Sequence, residues 1–185
     1  MGSISFWMCL VMTICTWNKT IGCTWMRTLP RSPSMFQVFS NTITMLQKMG
    51  HEVSREPQIT FPDKQYRQVN HFKADEQMAF ISHTLNAIKK LYSSGKYEST
   101  AWDQKGVDKF MNDLYRQTSE LDHCVKAMET RLSKSVKRVK KKMSLHFKFL
   151  KNYLKREEYS ASGWEDIRIV VLAHLKRLDT TLSSQ

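Results

Sequence analysis

Between Leu132 and Leu154 the apolar residues Leu132, Val136, Val139, Met143, Phe147, Leu150 and Leu154 recur at three- and four-residue steps. Side chains at that spacing share one face of an α-helix and would scatter over both faces of a strand. The positions between them are mostly Lys, Arg, Ser and His. The segment from about Arg131 to Glu158 therefore reads as one long helix with a dry stripe and a wet face.

Further stretches repeat the pattern. Phe36, Phe39, Ile43 and Leu46 place a helix over about Pro33 to Met49, opened by Ser32-Pro33 and stopped by Gly50. Met78, Ile81, Leu85, Ile88 and Tyr92 place one over about Lys73 to Tyr92, before the turn at Ser93-Ser94-Gly95. Val107, Phe110, Leu114, Leu121 and Val125 place one over about Ser99 to Met128. Trp164, Ile167, Val171, Leu175 and Leu178 place the last over about Ser162 to Leu182, with Ser162 and Glu165 spaced as a capping box. With 6 Gly and 4 Pro in 185 residues, the chain is poor in the turn formers that an all-β fold needs.

Residues His51 to Asn70 contain Pro57 and Pro62 and hold no period. They read as a long structured loop, pinned to the core by Ile59 and Phe61. So long a connection lets the first two helices run in the same direction. The expected fold is all-α, an up-up-down-down-type bundle of five main helices with a long first loop, as in helical cytokines.

Before the first helix, Ile4 to Cys15 carry no charge. A dozen or so residues are too few to span a bilayer and suit the apolar region of a secretory signal peptide. Cleavage after Gly22 would leave residues 1–22 as the signal and 23–185 as the mature domain, although the amino-terminal residues lack Lys and Arg. The four cysteines are Cys9, Cys15, Cys23 and Cys124, of which the last two would survive cleavage. In an oxidising compartment they permit a single pairing, Cys23 with Cys124, closing a loop worth up to about 4.7 kcal/mol in the chain-entropy model. Free thiols, a zinc site and a catalytic cysteine are weaker readings. The histidines show no metal-ligand spacing with the cysteines.

The formal net charge is +12. Such a surface attracts nucleic acid, glycosaminoglycan, anionic lipid or an acidic protein. The basic run Lys137 to Lys142 is punctuated by Val139, and Val136 and Met143 flank it at helical spacing, so it reads first as the wet face of a helix. Glycosaminoglycan or receptor contact is its functional version. No G-x-S-x-G, phosphate-cradling loop, H-E-x-x-H or paired carboxylates occur, so neither catalytic residues nor a cofactor or metal site are expected.

Glu98 to Val125, with Ala101-Trp102-Asp103, Asp108-Lys109-Phe110, Leu114-Tyr115, Gln117, Leu121 and Cys124, closely resembles the third helix of type I interferons. Asn152 to Arg168, with Tyr153-Leu154-Lys155, Tyr159-Ser160 and Trp164-Glu165, resembles the junction between that family's last two helices. Phe61-Pro62 matches the end of its first loop, and the stretch from Cys23 to Pro30 resembles the mature start of fish members. Ser162 stands where many mammalian relatives have a cysteine of a second disulfide, so the chain looks like the two-cysteine fish class.

The resemblance implies a secreted antiviral cytokine that binds two chains of a class II cytokine receptor and signals through Janus kinases and STAT proteins. It also implies the Cys23–Cys124 pairing. One receptor chain would meet the first helix, the long loop and the last helix. The other would meet the second, third and fourth helices on the opposite face. Arg168 matches a basic receptor contact, and its other reading is an exposed helix arginine of little energetic worth. Leu172, a turn further on, is either apolar surface beside it or core. Lys176 and Arg177 extend the basic end, and Arg55 stands nearest the family's loop arginine. An interleukin-10-like or type III interferon-like factor would share the architecture. A basic intracellular protein that binds nucleic acid would instead keep its N-terminus and free thiols.

Overall fold

Helices stand where the apolar stripes lie. The computed structural model describes residues 33–50 and 59–183. Its helices are α1 (Pro33–Met49), α2 (Asp63–Val69), α3 (Ala74–Tyr92), α4 (Gln104–Lys126), α5 (Lys134–Arg156) and α6 (Ala161–Ser183). A 3-10 turn, Glu129–Arg131, separates α4 from α5. The described residues contain no strand.

Side-chain caps set the helix starts more tightly than the stripes do. Asp103 accepts the Gly106 amide at 3.0 Å, so α4 begins at Gln104 and not near Ser99. Ser133 accepts the Val136 amide at 3.4 Å and starts α5. At α6 the expected capping box of Ser162 and Glu165 does not form, and the capping hydroxyl lies two residues earlier. Ser160, not Ser162, accepts the Gly163 amide at 3.2 Å, and the Glu165 carboxylate turns away to Trp102 and Arg168. The long first loop holds a helix of its own, α2, whose Tyr66 and Val69 are buried. Ile59 is buried and Phe61 packs on the core, as the sequence implies.

Cross-helix pairs fix the directions. Gln117 donates to Thr42 at 2.6 Å while Met49 lies beside Gly106, so α1 and α4 are antiparallel. Ser82 donates to Asp122 at 2.6 Å while Tyr92 meets Phe110, so α3 and α4 are antiparallel too. Glu76 accepts from the Ser133 amide at 3.2 Å and His83 meets Ser144 at 2.9 Å, so α3 and α5 are parallel. His146 meets His174, and Tyr153 meets Asp166, so α5 and α6 are antiparallel. Thus α1 and α3 run one way and α4 and α6 the other: the up-up-down-down arrangement. α5 packs along α3 and α6 as a fifth helix, with α2 across it.

Trp164, Tyr92, Phe39, Phe80 and Phe110 are fully buried in the shared core. Truncating an aromatic of this kind to Ala costs about 3–5 kcal/mol, from lost burial and the cavity left behind.

Candidate interaction surfaces

Two surfaces carry the residues that sequence reasoning singled out. The first is the seam of α6 with α1 and α2. Arg168, Leu172 and Lys176 follow one another at four-residue steps, and such a row turns by about 40° per step around a helix of 3.6 residues per turn. The row consequently walks out of the seam. Arg168 is only 5% exposed, Leu172 packs half-buried against the core, and Lys176 stands in solvent.

The Arg168 guanidinium donates from Nε to Glu165 at 2.8 Å and from Nη1 to the Leu46 carbonyl at 3.2 Å. It is therefore neither an exposed contact nor an idle surface arginine. It donates to a carbonyl of the last turn of α1 and so ties α6 to the end of that helix. Arg55 lies outside the described residues. Arg177 pairs with Asp63 of α2 at 2.8 Å, both side chains about half exposed, and this ties the loop helix to α6.

Beneath that tie lies a polar cluster that sequence reasoning missed. The Tyr66 hydroxyl meets His174 Nδ1 at 2.7 Å, and His174 Nε2 meets His146 Nε2 at 3.1 Å. Phe61 packs on the His174 ring, with centroids 4.7 Å apart. Burial pulls His174 well below its ordinary pKa, with the His146 charge adding to the effect. Burial alone takes His146 down to about 4. Both rings are neutral near pH 7, so each ring carries one donor and one acceptor nitrogen. The chain Tyr66–His174–His146 can then be satisfied in either direction. Neither histidine lies on the apolar stripes, and tertiary contact alone brings them together.

The second surface spans α3, α4 and α5. Leu145 and Phe149, one turn apart on the outer face of α5, are 57% and 47% exposed, and Tyr115 on α4 is 51% exposed. Lys137, Arg138, Lys141 and Lys142 are exposed around Leu145, while Lys140 bends to Glu129 at 3.4 Å. The Lys89 ammonium sits over the Tyr115 ring, 5.2 Å from its centroid. Grooves flank α3 on both sides. The one against α5 has a volume of about 470 Å³, and the one against α4 about 460 Å³.

Cys124 is buried near the end of α4, and Cys23 lies outside the described residues. Among the described residues no group of His, Cys, Asp and Glu side chains is placed to hold a metal. No described helix is long and apolar enough to cross a membrane.

The sequence model of the interferon alpha/beta domain matches residues 33–184. The chain belongs to the type I interferon family. It is 29% identical over 184 residues to interferon a3 of Oncorhynchus mykiss, covering 97% of this chain and 96% of that protein. Interferon alpha-3 of Equus caballus is 27% identical over 182 residues, covering 91% of each. Among solved structures, zebrafish interferon 1 superposes with a TM-score of 0.70 at 31% identity, over 87% of this chain and 98% of that one. Zebrafish interferon 2 gives 0.67 at 22% identity, over 78% and 96%, a likeness of fold alone.

This interferon is a cytokine and not an enzyme. The residues that carry its family resemblance are largely structural. Trp102 donates to Glu165 at 2.7 Å, joining the third-helix block to the last-helix block. Trp164 donates to the Lys96 carbonyl, and its ring packs with those of Tyr92, Tyr97 and Trp102. Gln117 reaches Thr42 in the core. Glu158 and Tyr159 both take positive φ, 51° and 56°, at the corner before α6. Ser99 braces that corner by donating to the Tyr159 carbonyl at 2.5 Å.

Proposed function

We propose that this interferon is a secreted antiviral cytokine that engages two chains of a class II cytokine receptor on opposite faces. Engagement would activate Janus kinases and STAT proteins and induce antiviral genes. The observation that supports the reading is a pair of chemically different surfaces on the bundle. One joins α1, the first loop with α2, and α6, and offers Lys176 and Arg177 beside half-buried Leu172. The other offers Tyr115, Leu145 and Phe149, apolar centres within a basic surround. Aromatic and aliphatic anchors ringed by polar groups are the usual make-up of a binding hot spot.

In this reading Leu172, Lys176 and Arg55 contact one receptor chain. Arg168 acts indirectly, by holding α1 and α6 in register. Residues 1–22 serve as a signal peptide, and Cys23 pairs with Cys124 in the two-cysteine manner. A glycosaminoglycan is a second candidate partner, drawn by the lysines of α5.

The test adds purified protein to fish cells and measures STAT phosphorylation and antiviral transcripts. Induction that disappears when either receptor chain is deleted supports the proposal. No response in cells with working receptors overturns it. A response through interleukin-10-type or type III interferon receptors would move the protein to a different signalling class.

A further inference from the structure

We propose that the groove between α3 and α5 is a binding site for a sulfated glycosaminoglycan; this rests on the reading of α5 as a glycosaminoglycan-binding helix and says where on it the sugar chain sits. The groove runs between α3 and α5 from the contact of His83 with the Lys140 carbonyl and the Ser144 hydroxyl, at 3.0 and 2.9 Å, toward Leu91 and Lys151. Its volume, about 470 Å³, falls within the range of roughly 300–1,000 Å³ typical of small-ligand sites.

The lining is sorted by chemistry. Ala87, Leu91 and Phe147 supply an apolar floor, and Lys90, Lys148 and Lys151 stand on the rim. No carboxylate lines the groove, and α5 has no Asp or Glu from Lys134 to Arg156. The rim lysines make no ion pair among the described residues, although ion pairs occupy other cations such as Lys140, Arg168 and Arg177. The amide nitrogen of Asn86 is already committed to Ser82 and Asp122, so its carbonyl oxygen remains as an acceptor. The Ser144 hydroxyl lies in the same wall.

A sulfated sugar matches each element. Its sulfates meet the ammonium groups, its hydroxyls meet Asn86 and Ser144, and the C–H face of a ring covers the apolar floor. Duplex nucleic acid presents phosphates on a rod too wide to enter such a groove. Beyond it, Lys137 and Lys141 continue the cationic track along α5, long enough for a chain and not only a single residue.

The test measures retention of the purified chain on immobilised heparin over a salt series. The comparison is between Lys90→Ala/Lys148→Ala/Lys151→Ala and a control with the same loss of charge, Lys64→Ala/Lys105→Ala/Lys109→Ala. All six lysines are exposed, so both variants should keep the helicity of the parent. The groove variant is expected to lose at least tenfold in affinity at about 0.15 M salt, and the salt slope should fall by about 2–3. The control should change by less than about threefold.

Equal losses in the two variants overturn the groove assignment and leave α5 as a diffuse attractor. No retention of the parent at that salt overturns the glycosaminoglycan reading itself. Binding to phosphatidylserine vesicles as tight as to heparin, lost in the groove variant, would reassign the groove to membrane surfaces and overturn the choice of a sugar.

Discussion

Arg168 of α6 donates to the Leu46 carbonyl of α1 at 3.2 Å, bridging residues 122 positions apart in the chain. Gly50, just past the end of α1, makes room for this bridge, because any Cβ there would collide with the Arg168 guanidinium. Removing the arginine would leave Glu165 partly buried without its cation and the carbonyl without its donor. Arg168→Ala should therefore cost about 3 kcal/mol, a fall in Tm of roughly 6–12 °C for a chain of this size. Receptor affinity per folded molecule should stay near that of the parent. An unchanged melting curve with weakened receptor binding would restore Arg168 to the contact surface.

The His146–His174 pair gives the fold a pH dependence with a definite sign. Both rings have depressed pKa values in the folded chain, His146 near 4, against 6.5 for an unperturbed group. Below pH 6.5 the unfolded chain takes up protons that the folded chain refuses. The stability these groups contribute is then complete above that pH and drains away as pH falls toward 4. Denaturant midpoints should fall between pH 7 and 5, and His174→Gln should flatten that slope. A midpoint that stays level over this range in the parent would refute the account.

How far the sequence reveals all this depends on where each signal resides. The stripe of α5 is written locally, so its helix and its wet basic face are legible from spacing alone. The short helix α2, seven residues ending the first loop, offers too few turns for a period to emerge. The stripes run a few residues ahead of the true starts of α4 and α5, because single side chains, Asp103 and Ser133, decide them. The burial of Arg168 was invisible for a different reason. Its partner is a main-chain carbonyl, and no residue type announces which carbonyl an arginine will reach. The histidine pair is legible only after α5 and α6 are laid antiparallel.

Leu145 and Phe149 form the most exposed apolar pair on α5, and the bundle does not need them for its core. Leu145→Ser/Phe149→Ser should leave stability within about 0.5 kcal/mol. In surface plasmon resonance the same change should weaken one receptor chain by about tenfold and spare the other. Unaltered affinity for both chains would remove this patch from the binding surface.

Lys176 and Arg177 should act on encounter more than on lifetime. Charge reversal at both positions is expected to slow association with one receptor chain several-fold at low salt, with a smaller effect at high salt. Losing the exposed Arg177–Asp63 pair should cost at most about 1 kcal/mol of stability. A change confined to dissociation would contradict this steering role.

Secreted material should begin near Cys23 and weigh two hydrogens less than the reduced chain. Cys124→Ser should lower Tm and leave the family fold intact, because the proposed Cys23–Cys124 link would act mainly on the unfolded state. An intracellular product starting at Met1, with both thiols reactive, would overturn both expectations.

The parallel course of α3 and α5 sets a timetable for the nascent chain. Parallel neighbours cannot be joined by a tight turn, so α4 must be made and folded back before α3 meets α5. Until α6 emerges, α1 also lacks Arg168, and the core lacks Trp164 and His174. Closing such distant contacts late is entropically slow. Of the described helices, α6 is made after the others and completes their core, and a chain truncated before Trp164 should remain a collapsed, protease-sensitive intermediate.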